Sequence, residues 1–154
     1  MPAWLRAGNP SQCGTSPRAS EGNFVARPQR GLFCDADVVA RALGDNSCVV
    51  IDARSARRFR GQDPEPRPGL RPGHMPGAAN LPFDTVLSQG HLLTSAELMQ
   101  IFAAKAKENQ KIIFSCGSGV TACILALAAS ASGHEAISVY DGSWSEWGLG
   151  VAHE

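Results

Sequence analysis

The sequence predicts an α/β fold with an open, mainly parallel β-sheet. Short apolar runs alternate with helical segments along the chain, and the segments between the runs are too long for hairpin turns. The runs Cys48–Asp52 and Lys111–Ser115 are continuously apolar up to a polar end. That pattern is typical of strands buried on both faces, as in a parallel sheet.

The first half of the chain is predicted to contain one helix, one strand and a long loop. Asp35 is a favourable capping residue, apolar residues follow it at helical spacing and Gly44 can end the helix, so a helix is predicted over residues 35–43. The strand Cys48–Asp52 follows, and residues 55–59 can form a short helix. Residues 61–78 are rich in proline and are therefore predicted to be a surface loop.

The second half is predicted to contain the remaining strands and helices. Thr94 followed by Glu97 is a capping-box signature, which predicts an amphipathic helix over residues 94–109. An apolar helix is predicted over residues 120–130, and Trp144 and Trp147 are expected to cap the core from a terminal helix. Strands are predicted at residues 79–82, 111–115 and 136–140.

Length and charge limit the classes of function. At 154 residues, the chain is long enough for one domain with its own core. The 14 basic residues (Lys and Arg) balance 14 acidic residues, which argues against nucleic acid or a membrane surface as a partner. The longest apolar run, residues 120–129, is too short to cross a bilayer.

The cysteines indicate a reducing compartment. They are odd in number and scattered, without a C-x-x-C pair, whereas a disulfide framework or a zinc ribbon requires closer pairing. A cytoplasmic location is therefore expected. Three of them lie in apolar runs and are predicted to be small core residues: Cys34, Cys48 and Cys123.

Residues 1–22 are predicted to be a disordered leader to a single domain over residues 23–154. The segment is rich in Pro, Ser and Gly and lacks the apolar core of a secretory signal. Its arginines and its near-absence of acidic residues leave a transit peptide as the alternative.

Cys116 lies at a predicted strand–helix junction, within the stretch CGSGVTA. In an open α/β sheet, ligands bind beyond the carboxyl ends of the strands. Gly117 and Gly119 let backbone amides turn towards the sulfur, and the helix N-terminus adds partial positive charge. Both effects favour a thiolate over a thiol. The sequence therefore predicts a nucleophilic cysteine, with a packed, inert cysteine as the alternative.

Three separated motifs resemble the rhodanese superfamily, and specifically its 3-mercaptopyruvate sulfurtransferases. CGSGVTA is similar to their active-site loop, GHMPGAANLPF contains their G-H-I-P-G-A-x-N signature and YDGSWSEWG is similar to their C-terminal signature. The likeness extends from Phe24 to Gly148, and Met75, which stands where Ile or Leu is usual, is neutral in packing. The resemblance implies a rhodanese-like, five-stranded sheet with helices on both faces.

The resemblance also implies a persulfide mechanism without a cofactor or a metal. Cys116 would take sulfur from a small donor and pass it to a thiol, to thioredoxin or to cyanide. Ser118 would hydrogen-bond the donor carbonyl or relay a proton to the leaving enolate, with turn formation as its alternative role. Structural roles are expected for Asp52 and His74. The residues implied to bind substrate are Arg58, Arg67, Gly117, Gly119, Val120 and Thr121.

The loop composition predicts the donor. Thiosulfate-using rhodaneses resemble C-R-K-G-V-T, with two cationic side chains where this chain has Gly117 and Ser118. Losing those charges favours an organic donor with a carboxylate, which Arg58 and Arg67 would hold, since the arginine fork suits a carboxylate. We therefore expect 3-mercaptopyruvate to be preferred over thiosulfate.

The resemblance leaves the assembly of the protein and its exact function open to alternatives. The resemblance covers the second half of a two-domain enzyme, so a homodimer, a separate partner domain or a fragment of a longer protein are alternatives. A phosphatase with C-x5-R is excluded because the sixth residue after Cys116 is Ala122. A single-domain thiosulfate sulfurtransferase and a persulfide carrier or docking module remain the alternative functions.

Overall fold

The computed structural model describes residues 2–16, 18, 20–27, 29 and 31–150. The predicted leader, residues 1–22, lies partly outside these ranges, and within it a short helix forms. The strands are β1 (Phe33–Cys34), β2 (Cys48–Asp52), β3 (Ala79–Asn80), β4 (Leu87–Ser88), β5 (His91–Leu92), β6 (Lys111–Ser115) and β7 (Ile137–Tyr140). The helices are α1 (Pro2–Arg6), α2 (Ala36–Ala42), α3 (Ala56–Phe59), α4 (Ser95–Ala103), α5 (Val120–Ala131) and α6 (Ser143–Trp147).

The central sheet has five strands in the order β1-β7-β6-β2-β3, and all of its pairs are parallel. β2 and β6 are in register along their whole length, so Asp52 lies opposite Ser115 at their carboxyl ends. β4 and β5 form a separate antiparallel pair. The predicted parallel, five-stranded sheet is confirmed.

Helices cover both faces of the sheet, as predicted. On one face, α4 and α5 pack Leu98, Phe102 and Leu125 against the sheet. On the other face, α2 and α6 contribute Val39 and Trp144 to a second cluster. Because β2 and β6 are apolar on both faces, they are buried between two helical layers.

The predicted capping residues begin the helices. The Asp35 carboxylate accepts a hydrogen bond from the Val38 amide at the start of α2. At the start of α4, Thr94 and Glu97 form the reciprocal capping box, which satisfies amides that have no partner within the helix. None of the helices in the described ranges is both long enough and apolar enough to span a bilayer.

The structure differs from the sequence predictions in several places. The strand predicted at residues 79–82 ends at Asn80. α4 ends at Ala103 instead of residue 109, because the Lys105 amide turns back to the Phe102 carbonyl. β1 and the β4–β5 pair have two residues per strand, too few to show a periodicity. Cys123 is exposed on the outer face of α5, so its prediction as a core residue is wrong; Cys34 and Cys48 are half-buried.

Candidate active site

The cysteine loop lies at the carboxyl end of the central sheet, between β6 and α5. Cys116 directly follows β6, and the helix begins at Val120. Cys116 is only 2% exposed. The predicted strand–helix junction is therefore present, at the edge where open α/β sheets bind ligands.

Ser143, the first residue of α6, supports the cysteine loop by side-chain hydrogen bonds. Its buried hydroxyl accepts hydrogen bonds from the amides of Cys116 and Gly119, both at 3.1 Å, and donates to the Tyr140 carbonyl at 2.8 Å. A hydroxyl has one proton to donate and two lone pairs to accept, so its bonding capacity is filled. Ser143 thus ties the loop to the end of β7.

Backbone bonds from α6 complete this support. The Trp144 amide donates to the Cys116 carbonyl at 3.0 Å, and the Ser145 amide donates to the Gly117 carbonyl at 2.9 Å. With the carbonyls drawn towards α6, the peptide groups of the loop are fixed in orientation. The C-terminal motif YDGSWSEWG therefore supports the cysteine loop by hydrogen bonds.

Hydrogen bonds to the sulfur lower the pKa of Cys116. Burial of the thiol raises its pKa, but the Thr121 hydroxyl and the backbone amides of Ser118, Thr121 and Ala122 outweigh that effect, so that the net pKa lies below the ordinary value. These amides belong to the loop and to the first turn of α5, where the helix carries partial positive charge. The arrangement stabilises a thiolate.

Gly119 lies at the turn between the cysteine loop and α5. Its amide donates to Ser143 and not towards the cleft, and its φ is +83° with an added Cβ only 2.8 Å from Asp141 Oδ1. A side chain would therefore be both strained and in contact with Asp141. Gly119 therefore shapes the loop, and its assignment to substrate binding stays a prediction.

A cleft of about 220 Å³ opens above the loop and collects the other predicted residues. Val120, 70% exposed, lies at its rim. The cleft brings together the sulfur, a serine hydroxyl and two arginines. Its lining residues are Arg58, Glu65, Pro66, Arg67, Leu70, Cys116, Gly117, Ser118, Val120 and Thr121.

The two arginines approach the cleft in different ways. The guanidinium of Arg58 packs against Gly117, where an added Cβ would lie 3.0 Å from Arg58 Nη2 and 3.8 Å from Nη1. Arg67 is exposed on the proline-rich loop, and among the described residues its side chain has no hydrogen bond or ion pair. Arg58 is thus held in place, whereas Arg67 has no charged partner within the described part of the chain.

A buried ion network lies behind Arg58. The Glu65 carboxylate, 1% exposed, accepts bonds from Arg58 Nε at 3.3 Å and Nη2 at 2.6 Å through its two oxygens, and from Arg54 Nη1 at 2.8 Å. Arg54, 0% exposed in its side chain, pairs with Asp52 at 2.6 Å and packs 4.5 Å from the Trp144 ring centroid. The network connects the floor of the site to the end of β2.

Sequence reasoning accounts for only part of this support. It predicts structural roles for Asp52 and His74, and their contacts agree with those roles. Asp52 pairs with Arg54 at 2.6 Å, and His74 Nδ1 lies 2.8 Å from the Phe59 carbonyl, with its ring stacked on Phe59. Sequence reasoning misses Ser143, Arg54 and Glu65. Glu65 lies among the three arginines of RFRGQDPEPR (Arg58, Arg60 and Arg67), which is the one signal that could have indicated an ion pair.

Comparison with known proteins connects this geometry to one family. The model of the rhodanese-like domain matches residues 35–149. A 3-mercaptopyruvate sulfurtransferase of Escherichia coli (strain K12) is 43% identical over 129 residues, which are 83% of this chain and 46% of the relative. A thiosulfate sulfurtransferase of Gallus gallus is 38% identical over 146 residues, which are 94% of this chain and 50% of the relative.

A solved structure agrees with the fold. The crystal structure of SseA from Escherichia coli superimposes with a TM-score of 0.76 at 35% identity, covering 95% of this chain and 54% of that one. The chain therefore spans about half the length of the proteins that it matches.

Proposed function

We propose that this chain, which belongs to the family of rhodanese-like domains, transfers sulfur through a persulfide on Cys116. The observation that carries the proposal is the set of donors around the Cys116 sulfur, which lowers the pKa of the thiol although the residue is buried. An inert packed cysteine has no need of such donors. The relatives named as sulfurtransferases support the same reaction class.

The proposed first step makes one S–S bond and breaks one C–S bond. The Cys116 thiolate attacks the sulfur of 3-mercaptopyruvate, and the electron pair of the C–S bond stays on carbon as the enolate of pyruvate. The thiol proton of the donor ends on that carbon, leaving pyruvate and a deprotonated persulfide. The backbone amides that stabilise the thiolate then stabilise the anionic outer sulfur. Ser118 hydrogen-bonds the donor carbonyl or carries the proton.

Carboxylate recognition supports this donor. Arg58 and Arg67 line the same cleft as Cys116, and a guanidinium pairs well with a carboxylate. Gly117 and Ser118 add no cationic side chain beside the sulfur. The second step passes the outer sulfur to a thiol, a thioredoxin or cyanide and regenerates the Cys116 thiolate.

A thiosulfate donor is the second candidate. It is favoured by the relative named thiosulfate sulfurtransferase, which is 38% identical to this chain. Transfer from thiosulfate releases sulfite and gives the same persulfide, so the two candidates differ only in the donor. A persulfide carrier that docks on a partner domain is the third, because the chain spans about half of its relatives.

Intact-mass spectrometry after mixing with 3-mercaptopyruvate tests the persulfide. We expect the mass of one added sulfur atom, removed again by cyanide as thiocyanate. Cys123→Ala is the matched control because Cys123 is exposed outside the cleft, and it must take up the same single sulfur. Uptake that persists in Cys116→Ser would contradict the proposal, and uptake without repeated turnover would favour the carrier.

A further inference from the structure

We infer that Glu65 is a specificity-determining residue that makes this cleft selective for a donor with one negative charge over one with two. The inference rests on the proposed function, because it concerns which donor the Cys116 site accepts.

Glu65 neutralises Arg58, the arginine that packs against Gly117 in the cleft. Both of its oxygens are engaged with guanidinium groups, Oε2 with Arg58 Nη2 at 2.6 Å and Oε1 with Arg54 Nη1 at 2.8 Å. Its side chain is 1% exposed, so water screens this charge poorly and it acts strongly on the cleft beside it.

The remaining charges of the network cancel. Arg54 is paired with Asp52 at 2.6 Å, which leaves two arginines against two carboxylates in the buried group. Arg67 is then the positive charge of the cleft wall that has no partner among the described residues. One uncompensated cation matches one carboxylate, whereas a dianion such as thiosulfate would leave a negative charge without a partner.

Glu65 also leaves Arg58 able to bind. The carboxylate takes Nε and one hydrogen of Nη2, and Nη1 has no hydrogen bond within the described part of the chain. Nη1 lies near Gly117, 3.8 Å from the position of an added Cβ. Arg58 thus retains a directed donor for a carboxylate while contributing little net charge.

The test is the ratio of kcat/KM for 3-mercaptopyruvate to kcat/KM for thiosulfate. In Glu65→Gln, the cleft gains one unit of positive charge, which favours a dianion more than a monoanion. We expect the ratio to fall on the order of tenfold. Glu65→Asp, which keeps the charge, is expected to hold the ratio near that of the wild type.

Asp63→Asn is the matched control. Asp63 lies on the same loop and pairs with Arg57 at 2.8 Å, but the two side chains are 36% and 64% exposed. Solvent screens that pair, so its loss must leave the ratio unchanged. If Asp63→Asn moves the ratio as much as Glu65→Gln, the inference is overturned.

If Glu65→Gln does not fold, the same comparison is made in a protein that already carries Arg58→Gln. In Arg58→Gln, one of the two arginines that require the carboxylate is gone, and adding Glu65→Gln must again lower the ratio on the order of tenfold. An unchanged ratio in both backgrounds, with a persulfide still forming on Cys116, overturns the inference and leaves the proposed function intact. Absence of the persulfide in the wild type overturns the proposed function itself.

Discussion

Gly117 and Arg58 are in contact: a Cβ atom on Gly117 would lie 3.0 Å from Arg58 Nη2. Arg58 cannot retreat freely, because Glu65 holds the same Nη2 at 2.6 Å. A side chain at position 117 would therefore collide with Arg58 on α3, which is why glycine fits there. Arg58 is remote from Gly117 in sequence.

Gly117→Ala is predicted to weaken binding of a carboxylate donor. The new methyl group displaces the Arg58 guanidinium by a few tenths of an ångström, and we expect a rise of roughly fivefold in KM for 3-mercaptopyruvate, corresponding to about 1 kcal/mol. Gly44→Ala is the control, because the nearest atom to an added Cβ there is 3.8 Å away. Equal KM values for the two variants would mean that Arg58 does not hold the donor.

Ser143→Ala is predicted to destabilise the fold. The substitution leaves the buried amides of Cys116 and Gly119 without an acceptor, which costs about 2–4 kcal/mol in the free energy of unfolding. Ser145→Ala removes only the bond to the Gly142 carbonyl and is expected to cost about 1 kcal/mol. Urea titration of both variants measures the difference, and similar values would show that Ser143 does not support the loop.

The contacts of Gly117 and Ser143 could not be predicted from the sequence, although much of the fold could. The strands β2 and β6, the Asp35 cap of α2 and the capping box of α4 are local signals, so the fold class, the sheet and the strand–helix junction at Cys116 can be predicted. Ser143 acts on a backbone amide that lies 27 residues away in sequence, and no local pattern reports such a contact. The exposure of Cys123 could not be predicted either, because α5 is apolar around its circumference and its sequence does not indicate which side packs against the sheet.

Thr121→Val is predicted to raise the pKa of Cys116. The Thr121 hydroxyl hydrogen-bonds the sulfur and lowers its pKa, so removing it favours the thiol, and we expect the pKa of Cys116 to rise. The rate of alkylation by iodoacetamide, measured against pH, then has its inflection at a higher pH than in the wild type. Thr121→Ser keeps the hydroxyl and must retain the lower inflection.

The wild-type inflection is itself informative. Because the net pKa of Cys116 is lowered, a larger fraction of it is thiolate at any given pH than for a free cysteine, whose pKa is about 8.5. An inflection at or above that value would argue against the hydrogen bonds to the sulfur.

Cys116→Ser is predicted to abolish sulfur transfer. A serine hydroxyl cannot carry the persulfide, whereas Cys34→Ala and Cys123→Ala leave the loop untouched and should keep nearly all activity. Release of thiocyanate from cyanide, with either donor, is the measurement. Residual transfer in Cys116→Ser would assign the sulfur to another cysteine.

Donor preference is predicted to favour 3-mercaptopyruvate over thiosulfate. With this donor, Arg58→Ala and Arg67→Ala each remove a charged hydrogen bond to the carboxylate, so kcat/KM should fall about ten- to a hundredfold. Arg57→Ala is the control, since Arg57 pairs with the exposed Asp63.

In the opposite direction, Gly117→Arg with Ser118→Lys introduces two cations beside the sulfur and should shift the preference towards thiosulfate. Arg58 must move to admit a side chain at position 117, so that double variant also loses affinity for the carboxylate donor, and both effects change the ratio in the same direction. A wild-type preference for thiosulfate would contradict the donor assignment and leave the persulfide mechanism standing.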